Sequence, residues 1–176
     1  MGLLGLFRRP PFERAGFELY GAAVAAARQP RFYGELGVPD TVAGRFEMVC
    51  LHNGLLIRRI NVEATKPAKD LAQAVFDAMF SDMDVNLREM GISDLRVGNR
   101  VKMLWEGFHG RAQNYANALS AEDMAALAVA LQRNVWVREP APPGAAMALA
   151  EHAKRVAAAL EPQPFAALAE GQVSFP

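Results

Sequence analysis

Cysteine is almost absent. Cys50 is the only one in 176 residues, so no intramolecular disulfide can form and the expected setting is a reducing compartment. Charge of either sign is not in excess: 19 Lys and Arg offset 19 Asp and Glu, for a formal net charge of zero. Neutralising nucleic-acid phosphates takes a surplus of basic side chains, so nucleic acid is not the expected partner. No apolar run approaches the ~20 residues that span a bilayer. In Met1-Gly2-Leu3-Leu4-Gly5-Leu6-Phe7-Arg8-Arg9 the arginines follow the apolar stretch, whereas a secretory signal has them before it. Leu6 stands where a myristoylation signal has Ser or Thr. The expectation is a protein neither exported nor membrane-spanning, with residues 1–11 a flexible terminus able to touch a membrane surface or a partner groove.

The marks of common catalytic folds are missing too. There is no phosphate-binding loop, dinucleotide fingerprint or nucleophile elbow. His52, His109 and His152 each lack a second ligand at helical metal spacing, so neither zinc nor haem is expected. Asp82-Met83-Asp84-Val85-Asn86 opens like a calcium loop, but Leu87 and Ser93 occupy the positions that need Gly and Glu. Cys50, on an apolar stripe with no histidine placed to activate it, reads as a buried structural thiol, and His109 as a solvated side chain. The reading is therefore a non-enzyme without cofactor or metal.

What is present is helical periodicity. Apolar residues make up 52% of the chain, enough for a packed core. The pattern predicts an all-α protein, a single irregular bundle of five to six helices. A first helix covers 12–28 and is ended by Pro30. Asp40 or Thr41 caps a second, 42–62, whose two apolar stripes place it mid-bundle. Thr65 and Pro67 open a third that runs to Met90 and stops at Gly91. Ser93 or Asp94 caps a fourth, carrying Val97, Leu104, Trp105, Phe108 and Tyr115. Ser120 begins a capping box for a fifth, with Leu127, Leu131 and Val135 inward. Trp105, Phe108, Val49, Cys50 and Val75 are expected in the core. Residues 12–138 thus form the main helical domain and 139–144 a Pro-rich linker. Residues 145–176 hold a C-terminal helix, docked loosely or part of an interface, with His152, Lys154 and Arg155 on its polar side, and an irregular tail.

Two surface features invite a binding role. Met79, Met83 and Met90 share a stripe with Phe76 and Phe80 that reads for the most part as ordinary core, and methionine is adaptable enough for an exposed part of it to hold varied apolar partners. Asp82, Asp84, Glu89 and Asp94 form an acidic cluster followed by Arg96, Arg100, Lys102 and Arg111.

Three blocks then carry a resemblance. Gly37-Val38-Pro39-Asp40-Thr41-Val42-Ala43-Gly44-Arg45-Phe46-Glu47 is similar to the opening motif of the ubiquinol–cytochrome c chaperone family. Phe80-Ser81-Asp82-Met83-Asp84, Leu87-Arg88-Glu89-Met90-Gly91-Ile92-Ser93-Asp94 and Val97-Gly98 resemble its central block. Phe108-His109-Gly110-Arg111 with Tyr115 and Ala118-Leu119 resembles its closing block. The match spans residues 33–136. It implies a helical, non-catalytic assembly factor that receives newly made cytochrome b and helps it join the ubiquinol–cytochrome c reductase complex, with docking near a ribosomal exit in mitochondria. The 15 Arg against 4 Lys, with abundant Ala, hint at a GC-rich bacterial genome. The resemblance thus implies a bacterial member at the cytoplasmic face of the inner membrane, in reach of membrane surface and ribosome. Phe76, Met79, Phe80, Met83 and Leu87 are the expected client-binding residues, on a stripe that reaches the surface. Asp82, Arg88, Glu89, Asp94, Arg111 and Tyr115 are expected to orient the client or pin the turn between the third and fourth helices. A stable accessory subunit of a membrane complex, a small enzyme or a haem carrier are the competing readings.

Overall fold

The computed structural model describes residues 11–91 and 94–176, apart from the side chains of Asp94, Leu95 and Arg100. The expectations for residues 1–10, and for Ser93 or the Asp94 side chain as a cap, lie outside the described residues. Eight helices and no strand appear among those described: α1 (Glu13–Ala27), α2 (Pro30–Gly34), α3 (Val42–Asn61), α4 (Lys66–Glu89), α5 (Asp94–Ser120), α6 (Met124–Val135), α7 (Ala145–Leu160) and α8 (Phe165–Ala169). Six are long and two are single turns, so the all-α expectation holds with two short helices added. Pro30 ends nothing. It sits at the first position of α2, where its missing N–H costs no hydrogen bond and its fixed φ suits a helix. The tail is likewise less irregular than expected, because α8 forms within it.

Local chemistry sets the long helices. The Thr41 hydroxyl accepts from the Gly44 N–H at 3.2 Å to start α3, and the Thr65 hydroxyl accepts from the Ala68 N–H at 3.3 Å to start α4. Ser120 is not the cap of α6: α5 runs through it, Glu122 turns the chain at φ 53°, and the Asp123 carboxylate accepts from Ala126 N–H at 2.8 Å. Helix α3 lies in the middle, as its two apolar stripes predict, touching α1, α4, α5, α6 and α7. Gly54, a weak residue for a helix interior, lets α5 come close: a Cβ there would lie 3.4 Å from that of Ala112. Gly16 does the same for α1 against the Ala74 backbone of α4.

Two apolar clusters result. The larger joins Leu19, Phe32, Leu51, Leu56, Leu71 and Leu131 with α7 and α8. The C-terminal helix is therefore not loosely docked. Leu149, Val156 and Leu160 are fully buried in this core, each worth about 1.5–3 kcal/mol of burial. Arg59, itself buried, ties down the end of α7 by donating to the carbonyls of Leu160, Glu161 and Gln163. A smaller satellite cluster gathers Tyr20, Cys50, Met79, Met83 and Phe108 between α1, α3, α4 and α5. Cys50, Phe108 and Val75 are buried as expected, whereas Val49 is half-buried between the clusters. Trp105 corrects the expectation outright: it is 44% exposed, at the outer edge of α5.

Candidate functional site

The Met/Phe stripe of α4 forms one wall of the satellite cluster. Its inner edge is core: Met79 is 0% exposed, and Met83 and Leu87 are also buried, so these three do not reach the surface as expected. Phe76 and Phe80 are half-buried at the rim, their rings 4.5 Å apart. Helix α5 continues that rim. His109 lies tilted against Trp105 at 4.3 Å, and Phe76 meets His109 edge to face at 5.1 Å and Phe108 in a tilted contact at 5.7 Å. Such aromatic pairs add about 0.5–1.5 kcal/mol each beyond area burial. His109 is exposed, as expected of a solvated residue, yet it is also part of this aromatic face. Behind the rim the Asn53 side-chain amide donates to Met79 Sδ at 3.0 Å.

The charges of the family-like blocks do not act as one set. Asp82 accepts from Tyr20 O–H at 2.7 Å, joining α4 to α1, and burial, reinforced by that contact, pushes the phenol's ionisation upward. Arg88 reaches back to Asp84 at 2.6 Å along α4, an exposed pair of the kind worth about 0–1 kcal/mol. Glu89 is exposed. Arg111 does not pin the turn between α4 and α5. It lies 2.8 Å from Glu47 of α3, as a charge contact off the line of its N–H rather than an aligned hydrogen bond. Burial pushes the Glu47 carboxyl up to about 7, against the opposing pull of Arg111. Tyr115, buried on the same helix, accepts from the Asn134 amide at 2.9 Å.

The opening block reads physically as a turn that delivers Glu47. Gly37 adopts φ 62°, and its carbonyl accepts from the Trp136 indole N–H at 2.8 Å. Val38 is buried, and Gly44 lies so close to the Pro39 carbonyl that any Cβ would collide with it. Asp40 pairs with Arg45 at 2.6 Å. One turn into α3, Phe46 lies under the Arg111 guanidinium and Glu47 meets its charge.

Sequence reasoning missed a buried histidine pair. His152 is 2% exposed, not on a polar face, and its Nε2 lies 3.0 Å from His52 Nε2. His52 Nδ1 contacts the Met48 carbonyl at 2.8 Å, and Arg31 contacts His152 Nδ1 at 2.8 Å. One proton arrangement satisfies the chain: Arg31 donates to His152 Nδ1, His152 Nε2–H donates to His52 Nε2, and His52 Nδ1–H donates to Met48. All four ring nitrogens are then engaged and both rings are neutral. Burial depresses His52 to about 4, and burial with the nearby His52, Arg31 and Arg155 depresses His152 to about 3. The signal was present in the helix, since His152 lies three residues after Leu149 and four before Val156, but the adjacent Lys154 and Arg155 masked it.

Residues 34–175 match the family model described as ubiquinol-cytochrome C chaperone. The chain belongs to that family. It is also similar to the ubiquinol-cytochrome-c reductase complex assembly factor 1 of Xenopus laevis, 23% identical over 141 residues that cover 80% of this chain and 70% of that protein. The crystal structure of the Cbp3 homolog from Brucella abortus is similar over 99% of this chain and 97% of its own, with 40% identity and a TM-score of 0.84. The family match reaches beyond the three blocks into α7, α8 and the tail, which had carried no recognisable motif. That extension fits a chaperone whose His52–His152 pair and Arg59 cap bind the C-terminal elements to α3. No helix among the described residues is long and apolar enough to cross a membrane.

Proposed function

We propose that this protein is a non-catalytic chaperone that holds newly made cytochrome b on the α4–α5 face and assists its entry into ubiquinol–cytochrome c reductase. The observation that carries the reading is the half-covered satellite cluster: Phe76, Phe80 and Trp105 form its rim, and Met79 and Met83 its base. A membrane protein awaiting insertion presents apolar helices, and an apolar face with adaptable side chains beneath it can meet them without a fixed shape. Leu87 extends the base toward the end of α4. The exposed charges of α4 beside the face, Asp82, Arg88 and Glu89, keep the empty protein soluble and bias the client's orientation. Family membership supplies the class of function, and the family's work on this complex supports the client's identity. The place of action that follows is the cytoplasmic face of a bacterial inner membrane.

A photo-crosslinking amino acid at Phe80 or Trp105 tests this directly, with Met147 on α7 as a distant exposed control. Crosslinks to unassembled cytochrome b from the first two sites and not from the third are expected. Crosslinks from α7 alone would move the site off this face. Lasting recovery of the assembled reductase with the tagged protein would make it an accessory subunit instead.

A further inference from the structure

On the side of α5 roughly opposite Trp105 and His109, a surface groove of about 770 Å³ runs between α5 and α6. Small residues keep its floor low: Gly107, Gly110 and Ala118 from α5, Ala121 from the turn after it, and Ala126 and Ala130 from α6. The Arg111 guanidinium folds over Gly107 and takes up the space a Cβ would fill there. The groove is also provided with main-chain-like partners. Asn114, Asn117 and Asn134 line it with amides, although Asn117 Oδ1 already accepts from Gln113 and the Asn134 amide already donates to Tyr115; Arg133 adds a guanidinium fork, Arg111 one that Glu47 engages, and Val129, 58% exposed, an apolar contact. Glu106 and Asp123 are its acidic members, and Asp123 is engaged as the cap of α6.

Beneath the groove lies the Glu47 carboxyl, 7% exposed, with Oε2 receiving no aligned hydrogen bond. Its neighbours are Cys50 on its own helix and Arg111 and Tyr115 on α5. Arg111 therefore stands between a buried carboxylate, which it meets at 2.8 Å, and an open groove. We propose that this groove is a docking site for an extended polypeptide segment, one of whose acidic side chains pairs with Arg111 in place of Glu47. The amides would take the segment's main-chain groups, and Arg133 would share the carboxylate's charge. Glu47, released from Arg111 in a buried position, takes up a proton from solvent, so docking is linked to pH. Because the Glu47 carboxyl titrates at about 7, a segment that binds only the protonated form loses about tenfold in affinity between pH 6 and pH 8. This does not rest on client capture at the α4–α5 face, from which α5 separates it.

The test is an NMR titration of the whole isotope-labelled chain with the blocked peptide acetyl-Ala-Val-Glu-Val-Ala-amide, its Gln counterpart, and acetate. Expected are shifts at Gly107, Gly110 and the Asn134 side-chain amide at millimolar Glu peptide, with at least fivefold weaker binding of the Gln peptide. Affinity should fall about tenfold from pH 6 to pH 8, and Glu47→Gln should reduce that change below twofold. Arg133→Gln, at an exposed position, should weaken binding several-fold with no change in melting, so the proposal does not depend on a variant at Arg111 folding. No groove shifts, equal binding of the two peptides, or shifts centred on Trp105 and His109 would overturn it. Acetate matching the Glu peptide in affinity would reduce the site to one for small anions and overturn the polypeptide.

Discussion

Consider the Arg31–His152–His52–Met48 chain as pH falls. Both imidazoles are neutral in the folded protein because a proton on either would place a cation in a dry site beside the Arg31 guanidinium. In the unfolded chain both titrate at the ordinary 6.5, whereas in the fold they titrate at about 4 for His52 and about 3 for His152. Below pH 6.5 the unfolded state therefore binds more protons, and stability falls with pH until the folded values are reached. Between pH 7 and pH 5 each histidine contributes a loss of about 2 kcal/mol, or about 4 kcal/mol for the pair. Glu47 works in the opposite direction. Its folded value, about 7, lies above the ordinary 4.5, so the folded state binds the extra proton and gains about 2 kcal/mol over the same interval. The native protein should thus lose about 2 kcal/mol from pH 7 to pH 5, and Glu47→Gln, which removes the offset, about 4 kcal/mol. Urea unfolding followed by circular dichroism at both pH values measures each. A Glu47→Gln loss below about 1 kcal/mol would refute the neutral buried pair. Nitrogen NMR of the native protein gives a second check: at pH 6 the proton should sit on Nδ1 of His52 and Nε2 of His152, and an imidazolium signal from either would sink the reasoning.

Three further outcomes follow from placement. Trp105→Ala should cost about 1–2 kcal/mol rather than the 3–5 of a core tryptophan, and acrylamide should quench Trp105 readily while sparing buried Trp136. Gly16→Ala should destabilise by more than about 1 kcal/mol despite the gain in helix propensity, because the new methyl would meet the Ala74 backbone at 2.6 Å; denaturant midpoints decide it. Arg59→Met should free the end of α7, costing about 3 kcal/mol through the loss of charged donors to buried carbonyls, with hydrogen exchange rising across 160–176.

The long helices were legible because period and capping agree: Thr41 and Thr65 announce α3 and α4, and the double stripe of α3 announces its central place. Helix α2 was not, since five residues cannot show a period and Pro30 reads equally as a stop or a start. Burial failed where a stripe was taken too wide, so Trp105 at its edge was counted with Phe108 at its centre. Some residues of the family-like blocks meet one another in ways that sequence could not display. Arg111 and Glu47 stand in different blocks and meet only when α3 crosses α5. His52 and His152 are 100 residues apart, and no local pattern links them.

The satellite cluster differs from the main core in a way that mutation can measure. Met79 and Met83 share one helix face and are both buried, so a volume argument alone assigns Leu substitutions the same small cost, below about 1.5 kcal/mol. They differ in their neighbours. Met79 Sδ accepts the Asn53 side-chain N–H, and Asn53 is fully buried with its Oδ1 already lacking a donor. Leucine at Met79 removes that acceptor and leaves the amide without partners at either end, adding about 1–3 kcal/mol. Met83 has no such neighbour among the described contacts, so Met83→Leu should remain within the volume cost alone. Thermal or urea unfolding of the two variants should therefore differ by at least about 1 kcal/mol. The double variant Met79→Leu with Asn53→Leu should recover part of the loss, since two apolar side chains leave no unsatisfied group. Equal costs for the two single variants would mean that the sulfur contact contributes nothing and the stripe is held by shape alone.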